Sequence, residues 1–307
     1  MDAKRQFSVI GWALTAYYLI CIGMQVLLGI LFERFGHLLP EFVWTDDFMM
    51  ILSHIIMYGI AFPVFVCMVR KLPYWFKAEK KSLRLSDFFV SFVICLGTAY
   101  VGNLVGTALM LASDLLLGTQ SFNPVTNAVF NLSPGIMFLT TVVAAPLMEE
   151  WMFRKILIER LVPYGQKTAV VVSGLSFGLF HGNFYQFFYA FSLGMIFAYL
   201  YSYTGKLRYN VLLHMGVNLV GGMLPLLLER LSQRSMLLSY LGVVFMGFFA
   251  MITIVTGIVL AVIFGRKLTW FPSWAKKTEK GLLRTIFSSS GVWVFLLVCA
   301  AEFTMMF

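Results

Sequence analysis

Charged residues are scarce in this chain. Of its 307 residues, only 12% are Asp, Glu, Lys or Arg, while 60% are hydrophobic and the mean hydropathy is +0.85. A soluble domain carries about 25% charged and about 45–50% apolar residues. The composition therefore excludes a soluble globular protein and a disordered chain, and it predicts a polytopic membrane protein.

Several common sequence patterns are also missing. The cysteines lie singly inside apolar runs and form no CxxC pair, which argues against a disulfide framework and against a thiolate zinc site. The sequence contains no internal repeat, no Gly/Ser-rich linker and no HExxH motif. We therefore expect one integral membrane domain over 1–307.

Apolar runs long enough to cross a bilayer recur along the chain. A bilayer core needs about 20 apolar residues in helical form. The runs predict an all-α fold, a polytopic transmembrane bundle of about eight or nine helices, with candidate spans at 7–32, 48–69, 88–113, 128–153, 168–184, 185–204, 209–228, 237–264 and 288–307. The first run is far longer than the roughly 7–15 apolar residues of a signal-peptide core, so we expect it to be a retained helix.

The loops between the runs predict an orientation. Loops 70–86 and 265–287 are strongly basic, whereas 33–47 is acidic on balance and 114–127 carries only Asp114. Short loops rich in Lys and Arg stay in the cytoplasm, so the N-terminus is expected there too. The net charge of +9 is thus interpreted as a topology signal and not as a sign of nucleic-acid binding. Short loops and the absence of targeting extensions favour a bacterial cytoplasmic membrane.

An acidic pair lies in the fourth run. Adjacent helical positions point about 100° apart, and Arg154 follows Glu150 by four residues, so those two side chains can pair on one face. Glu149 then points elsewhere, without a partner in its own helix. A partly desolvated carboxylate of this kind can act as a general base. An ordinary charged helix end at the membrane interface is the alternative.

Two histidines lie in later apolar runs. His181 follows Phe177 by four residues, and a polar stripe recurs every four residues further on, at Asn210, His214 and Asn218. Polar groups inside a span usually face the bundle interior or a watery cavity. A stripe of this type can also simply join two helices through hydrogen bonds.

A turn near 163–165 relates the acidic pair to the first histidine. Glu149 lies about 15 residues before this turn and His181 about 16 residues after it, so each is about 23 Å from the turn along its helix. On adjacent antiparallel helices the two would be level. His214 follows the basic turn at 206–208 so closely that a straight helix would leave it shallower. Either the 149–165 segment extends well below the membrane, or the helices near 182–183 are broken or re-entrant.

The three motifs together resemble the CPBP family, the CAAX proteases and bacteriocin-processing proteins, also called the Abi family. The pattern is EExxxR, then FxxxH, then HxxxN, all within 146–218. The family includes the type II CAAX prenyl endopeptidases, so the resemblance implies an intramembrane endopeptidase. It implies that Glu149 and His181 hold and activate a water, and that His214 and Asn218 stabilise the oxyanion. The supporting residues are then Glu150 and Arg154.

The resemblance leaves the role of a metal open. Family members are often named metalloproteases, and Glu149, His181 and His214 would supply a His₂Glu zinc set. The missing HExxH motif and the poor quality of Asn as a zinc ligand favour a metal-free water. We therefore expect no required cofactor, with zinc as the alternative.

The expected substrate is a membrane-embedded or lipophilic peptide or protein, because the scissile bond must reach a site within the bilayer. Nothing in the sequence indicates recognition of a prenyl group, so a bacterial peptide or membrane-protein protease is favoured over a prenyl-protein protease. The main alternative is a non-proteolytic membrane scaffold or bacteriocin-immunity protein of the same family. Such a protein would not need all four catalytic residues. A transporter would more often show an internal repeat.

Overall fold

The computed structural model describes residues 2–74, 81–121, 123, 131–271 and 281–305. These residues form helices and connecting turns without a β-strand. In chain order the helices are α1 (Ala3–Phe35), α2 (Asp46–Val69), α3 (Leu85–Leu117), α4 (Pro134–Tyr164), α5 (Gln166–Leu179), α6 (Phe184–Thr204), α7 (Leu207–Ser232), α8 (Met236–Gly265), α9 (Leu282–Phe287) and α10 (Ser290–Thr304). Within this described part, 7 helices are long and apolar enough to cross a membrane. The prediction of a polytopic all-α membrane bundle is confirmed.

Two predicted spans correspond to shorter helices. The spans predicted at 168–184 and 288–307 are represented by α5, with 14 residues, and α10, with 15 residues. The span predicted at 128–153 begins partly outside the described residues, and its helix continues to Tyr164. The basic loops that predict the orientation also lie partly outside the described residues. A cytoplasmic N-terminus therefore stays a prediction.

Proline residues distort three of the long helices. Each of the three lies two residues after a stretch of π-helix: Pro63 after Ile55–Ala61, Pro146 after Phe138–Ala144, and Pro225 after Leu219–Met223. A proline ring clashes with the carbonyl four residues earlier, and in all three cases that carbonyl falls inside the π stretch. A wider turn relieves the clash. π turns are frequent at functional sites, and one of these stretches begins directly after Asn218.

Glycines allow the helices around α6 to approach closely. A Cβ added at Gly194 of α6 would lie 2.9 Å from the Cα of Gly174 on α5. On α3, a Cβ added at Gly102 would lie 2.5 Å from the Cα of Tyr189. Small residues permit this kind of contact between transmembrane helices. As a result, α3 and α5 both pack against α6 near the turn that carries His181.

Hydrogen bonds tie the first helix to the C-terminal end of α4. The Gln6 amide donates to the backbone carbonyl of Arg160 at 2.7 Å and accepts from the Tyr164 hydroxyl at 2.9 Å. Further along, α1 packs against α10. The two ends of the described chain therefore lie together beside α4 and α5, next to the predicted site.

Candidate active site

A cavity of about 530 Å³ lies between α3, α4, α6 and α7. Its lining includes all four residues predicted to be catalytic, Glu149, His181, His214 and Asn218. Binding pockets for small ligands typically measure about 300–1,000 Å³, so the cavity has the size of a ligand site. Glu150 and Arg154 lie behind the cavity wall, fully buried.

Glu150 and Arg154 form the pair that their spacing predicts. The Arg154 Nε lies 2.9 Å from the Glu150 Oε2, and both side chains are 0% exposed. The guanidinium also lies over aromatic rings, 4.6 Å from the ring centroid of Phe177 and 5.5 Å from that of Phe197. With Phe153 at 5.8 Å, one carboxylate and three aromatic rings thus surround a buried positive charge.

His214 lies between the two adjacent glutamates. Its Nδ1 is 3.0 Å from the Glu150 Oε1, and its Nε2 is 3.7 Å from the Glu149 Oε2. An ionised carboxylate only accepts, so Nδ1 donates to Glu150 and the ring is fixed with Nε2 toward the cavity. A carboxylate behind an imidazole is a common way to orient a functional histidine.

The helix ends near the site bear on the position of His214. The short distances place His214 beside the acidic pair. Helix α4 continues 15 residues beyond Glu149 to Tyr164, whereas α7 begins only 7 residues before His214, at Leu207. Helix α5 ends at Leu179, and α6 begins only at Phe184.

His181 lies in this turn, beyond the end of α5, and not within a continuous helix. Its Nδ1 is 2.8 Å from the Phe177 carbonyl oxygen. Because a carbonyl only accepts, Nδ1 carries the proton and Nε2 keeps its lone pair. The backbone carbonyl of His181 accepts from the Asn183 side chain at 2.7 Å, and Asn183 also caps α6 by accepting from the Gln186 N–H at 2.9 Å.

Phe177 connects the two histidines to the buried arginine. Its ring meets the His181 ring edge to face at 4.9 Å and the His214 ring at 5.7 Å, in addition to its contact with the Arg154 guanidinium. The sequence marks Phe177 only by its spacing from His181. Its packing role depends on α4 and α7, which no local spacing reveals.

Two amides complete the polar surroundings. The Asn218 Nδ2 donates to the Thr141 carbonyl at 2.9 Å, which leaves its second N–H for another acceptor. The Asn210 Nδ2 donates to the Phe197 carbonyl at 2.6 Å and lies 3.4 Å from the Glu150 Oε2. Asn210 was visible in the sequence as part of the polar stripe, but its contact with Glu150 was not predicted.

The three residues named as alternative zinc ligands, Glu149, His181 and His214, all line the cavity. No group of three or more His, Cys, Asp or Glu side chains is placed to hold a metal ion anywhere in the described ranges. The Glu149 Oε2 and the His214 Nε2 are 3.7 Å apart. Zinc stays the alternative that the resemblance leaves open, and the mechanism below contains no step through a metal.

The first and last helices hold the residues on both sides of His181. The Phe180 ring packs against Tyr17 at 4.8 Å and against Tyr18 at 5.4 Å. Gly182 has a left-handed backbone with φ of +66°, and a Cβ there would lie 2.6 Å from the Tyr18 hydroxyl and 3.0 Å from the Glu302 Cγ. The turn therefore requires glycine at this position for both its conformation and its space.

Replacing Gly182 with alanine is expected to displace His181. The added methyl must push the turn away from Tyr18, and a misplacement of about 1 Å in an active site can cost about 100-fold in rate. We expect Gly182→Ala to lower kcat at least about tenfold in a peptide-cleavage assay. The control is Gly247→Ala on α8, where a Cβ meets nothing within 4 Å. A Gly182→Ala protein with the kcat of the control would contradict the packing argument.

A helical membrane bundle with a carboxylate, two imidazoles and an amide around one buried cavity has the parts of an intramembrane hydrolase. Residues 131–220 match the family described as type II CAAX prenyl endopeptidase Rce1-like. The match includes all three motifs and confirms the resemblance to the CPBP family for this segment. No curated protein and no solved structure matches the chain. The family match supports a CAAX-type intramembrane endopeptidase in general terms.

Proposed function

We propose that the protein is an intramembrane endopeptidase that hydrolyses peptide bonds of membrane-associated or lipophilic substrates with a water activated by Glu149. The observation that carries the proposal is the convergence of Glu149, His181, His214 and Asn218 on one cavity in a membrane bundle. These groups come from two different helices, α4 and α7, and from the turn between α5 and α6, so their meeting is not a consequence of local spacing. The family match to the same segment supports the reaction class.

In the proposed reaction, the attacking water lies between the Glu149 carboxylate and the unprotonated Nε2 of His181. Glu149 takes one proton from the water as its oxygen attacks the carbonyl carbon of the scissile bond. A tetrahedral oxyanion forms. When the C–N bond breaks, the proton held by Glu149 passes to the departing amine, and Glu149 returns to its ionised form.

Asn218 and His214 stabilise the oxyanion in this scheme. The free N–H of the Asn218 amide donates to it, and a protonated His214 donates its Nε2–H while Glu150 accepts the Nδ1–H. Fixed donors of this kind, in a site that excludes water, typically contribute about 100- to 1,000-fold each in rate. Glu150 and Arg154 do not touch the reacting atoms and act as positioning residues for His214.

Peptide cleavage by the purified protein tests this function. The protein in nanodiscs would be offered a panel of fluorogenic apolar and lipidated peptides, with and without a zinc chelator. We expect turnover that the chelator does not change and that His181→Ala lowers about 100- to 10,000-fold. His54→Ala is the matched control, because the His54 Nδ1 bonds to the Met50 carbonyl at 2.9 Å within α2 and His54 does not line the cavity.

Three results would count against the proposal. Equal turnover by His181→Ala and His54→Ala would remove His181 from the mechanism. Turnover that is lost on chelation and restored by zinc would replace the metal-free water with a metal-bound one. Failure of the wild-type protein to cleave any peptide of the panel would favour the alternative, a non-proteolytic membrane scaffold or bacteriocin-immunity protein.

A further inference from the structure

The cavity extends beyond the catalytic groups along one face of α3. The α3 residues in its lining follow the i, i+3, i+4, i+7, i+11 pattern of one helix face: Leu96, Ala99, Tyr100, Asn103 and Thr107. This spacing places them on one side of the helix. From Leu96 to Thr107 the helix rises about 16 Å, so the cavity is a groove considerably longer than the catalytic cluster itself.

Three of these residues carry polar groups at a depth where polar groups are costly. Asn103 is near the middle of the 33-residue α3, and both Asn103 and Thr107 have exposed side chains. The Tyr100 hydroxyl is buried and has no hydrogen-bond partner within the described part of the chain. Unsatisfied polar groups inside a bilayer are strongly unfavourable. The three residues, called here the α3 stripe, therefore call for a polar partner inside the groove.

The groove offers almost no charge to such a partner. Among its described lining residues, Glu149 is the one carboxylate, no lysine or arginine contributes, and both histidines lie at the catalytic end and not on α3. A carboxylate or ammonium group lying along the α3 stripe would be desolvated without an opposite charge beside it, which is costly. Peptide backbone is the complementary chemistry, because it is neutral and has alternating donors and acceptors.

We propose that the α3 stripe binds the backbone of an extended, uncharged peptide segment on one side of the scissile bond. This inference rests on the proposed protease function and adds a substrate class to it. An extended chain rises about 3.3 Å per residue, so a 16 Å groove matches about five residues. The amide of Asn103 both donates and accepts, as a backbone partner requires. On this side of the bond, neither a charged residue nor a free carboxyl terminus fits within that segment.

Binding is measured with a catalytically inactive protein, so that it is separate from turnover. The Glu149→Gln protein in nanodiscs would be titrated with a fluorescent form of the peptide that the wild type cleaves best. Adding Asn103→Leu is expected to raise the Kd at least tenfold, and adding Tyr100→Phe to raise it about threefold. Thr98→Val on α3 is the matched control, because Thr98 is absent from the cavity lining, and it should leave the Kd unchanged. An Asn103→Leu protein with the Kd of the control would overturn the assignment.

Moving a charge along the substrate shows which side of the scissile bond carries the segment that binds the α3 stripe. A single Lys or Glu, and separately a free carboxyl terminus, would be moved one residue at a time away from the scissile bond in each direction. We expect kcat/KM to fall at least tenfold over about five positions on one side only, mainly through KM. Equal tolerance on both sides would overturn the proposal. A wild-type protein that cleaves no peptide defeats the protease function itself, whereas normal catalysis with unaffected stripe variants defeats this inference alone.

Discussion

Glu149→Gln is expected to abolish peptide cleavage and to leave the protein folded. The amide has nearly the shape of the carboxylate, but it cannot accept the proton of the attacking water. Loss of a general base typically costs about 100- to 10,000-fold in rate. We expect the protein to fold normally for two reasons. Glu149 lines the cavity, and its 3.7 Å distance to the His214 Nε2 is too long for a hydrogen bond that would stabilise the fold. The measurement is kcat in nanodiscs together with the thermal unfolding midpoint.

Glu159→Gln is a matched control on the same helix. Glu159 accepts from Lys155 at 2.5 Å and from the Tyr201 hydroxyl at 2.8 Å, and it does not line the cavity. Its replacement changes the same chemical group ten residues further along α4, away from the cavity, so kcat should stay within about twofold of the wild type, as for most substitutions away from a site. The general-base role of Glu149 would be wrong if Glu149→Gln kept the activity of the Glu159→Gln control.

Local features of the site could be predicted from the sequence because they follow from helical spacing. The Glu150–Arg154 pair is an i,i+4 contact, and the structure contains it at 2.9 Å. Counting residues from the turn at 163–165 predicted that Glu149 and His181 lie at the same level, and both line the same cavity. Both features follow from the geometry of a single helix and the position of one turn.

Contacts between distant segments could not be predicted in this way. The His214–Glu150 hydrogen bond joins residues that are 64 positions apart, and it depends on how α7 crosses α4. The sequence left the depth of His214 open between two explanations, because spacing along one helix does not determine how two helices cross. Proline-linked π stretches and the left-handed Gly182 change that geometry. Proline and glycine were visible in the sequence, but their effect on helix crossing was not calculable from spacing.

Glu150, unlike Glu149, is expected to contribute to the stability of the fold through its buried pair with Arg154. The variant Arg154→Met tests this contribution. The substitution leaves the Glu150 carboxylate in place, 0% exposed, without its positive partner. Breaking a buried pair by removing one member typically costs about 3–5 kcal/mol in the free energy of unfolding. We expect a loss of that size for Arg154→Met, measured by reversible denaturation in mild detergent. Lys155→Met, at the next position, removes a half-exposed surface pair and should cost about 0–1 kcal/mol.

The double variant Glu150→Gln/Arg154→Met distinguishes an unpaired charge from lost packing. If the cost of Arg154→Met comes from the stranded carboxylate, neutralising Glu150 restores about half or more of the lost free energy of unfolding, because a neutral buried pair is often tolerated. If the cost comes from the lost contact of the guanidinium with Phe177 and Phe197, the double variant stays as unstable as the single one. Recovery of stability should not restore full turnover, since His214 then lacks the carboxylate that fixes its ring. A double variant with both stability and wild-type kcat would show that Glu150 has no positioning role.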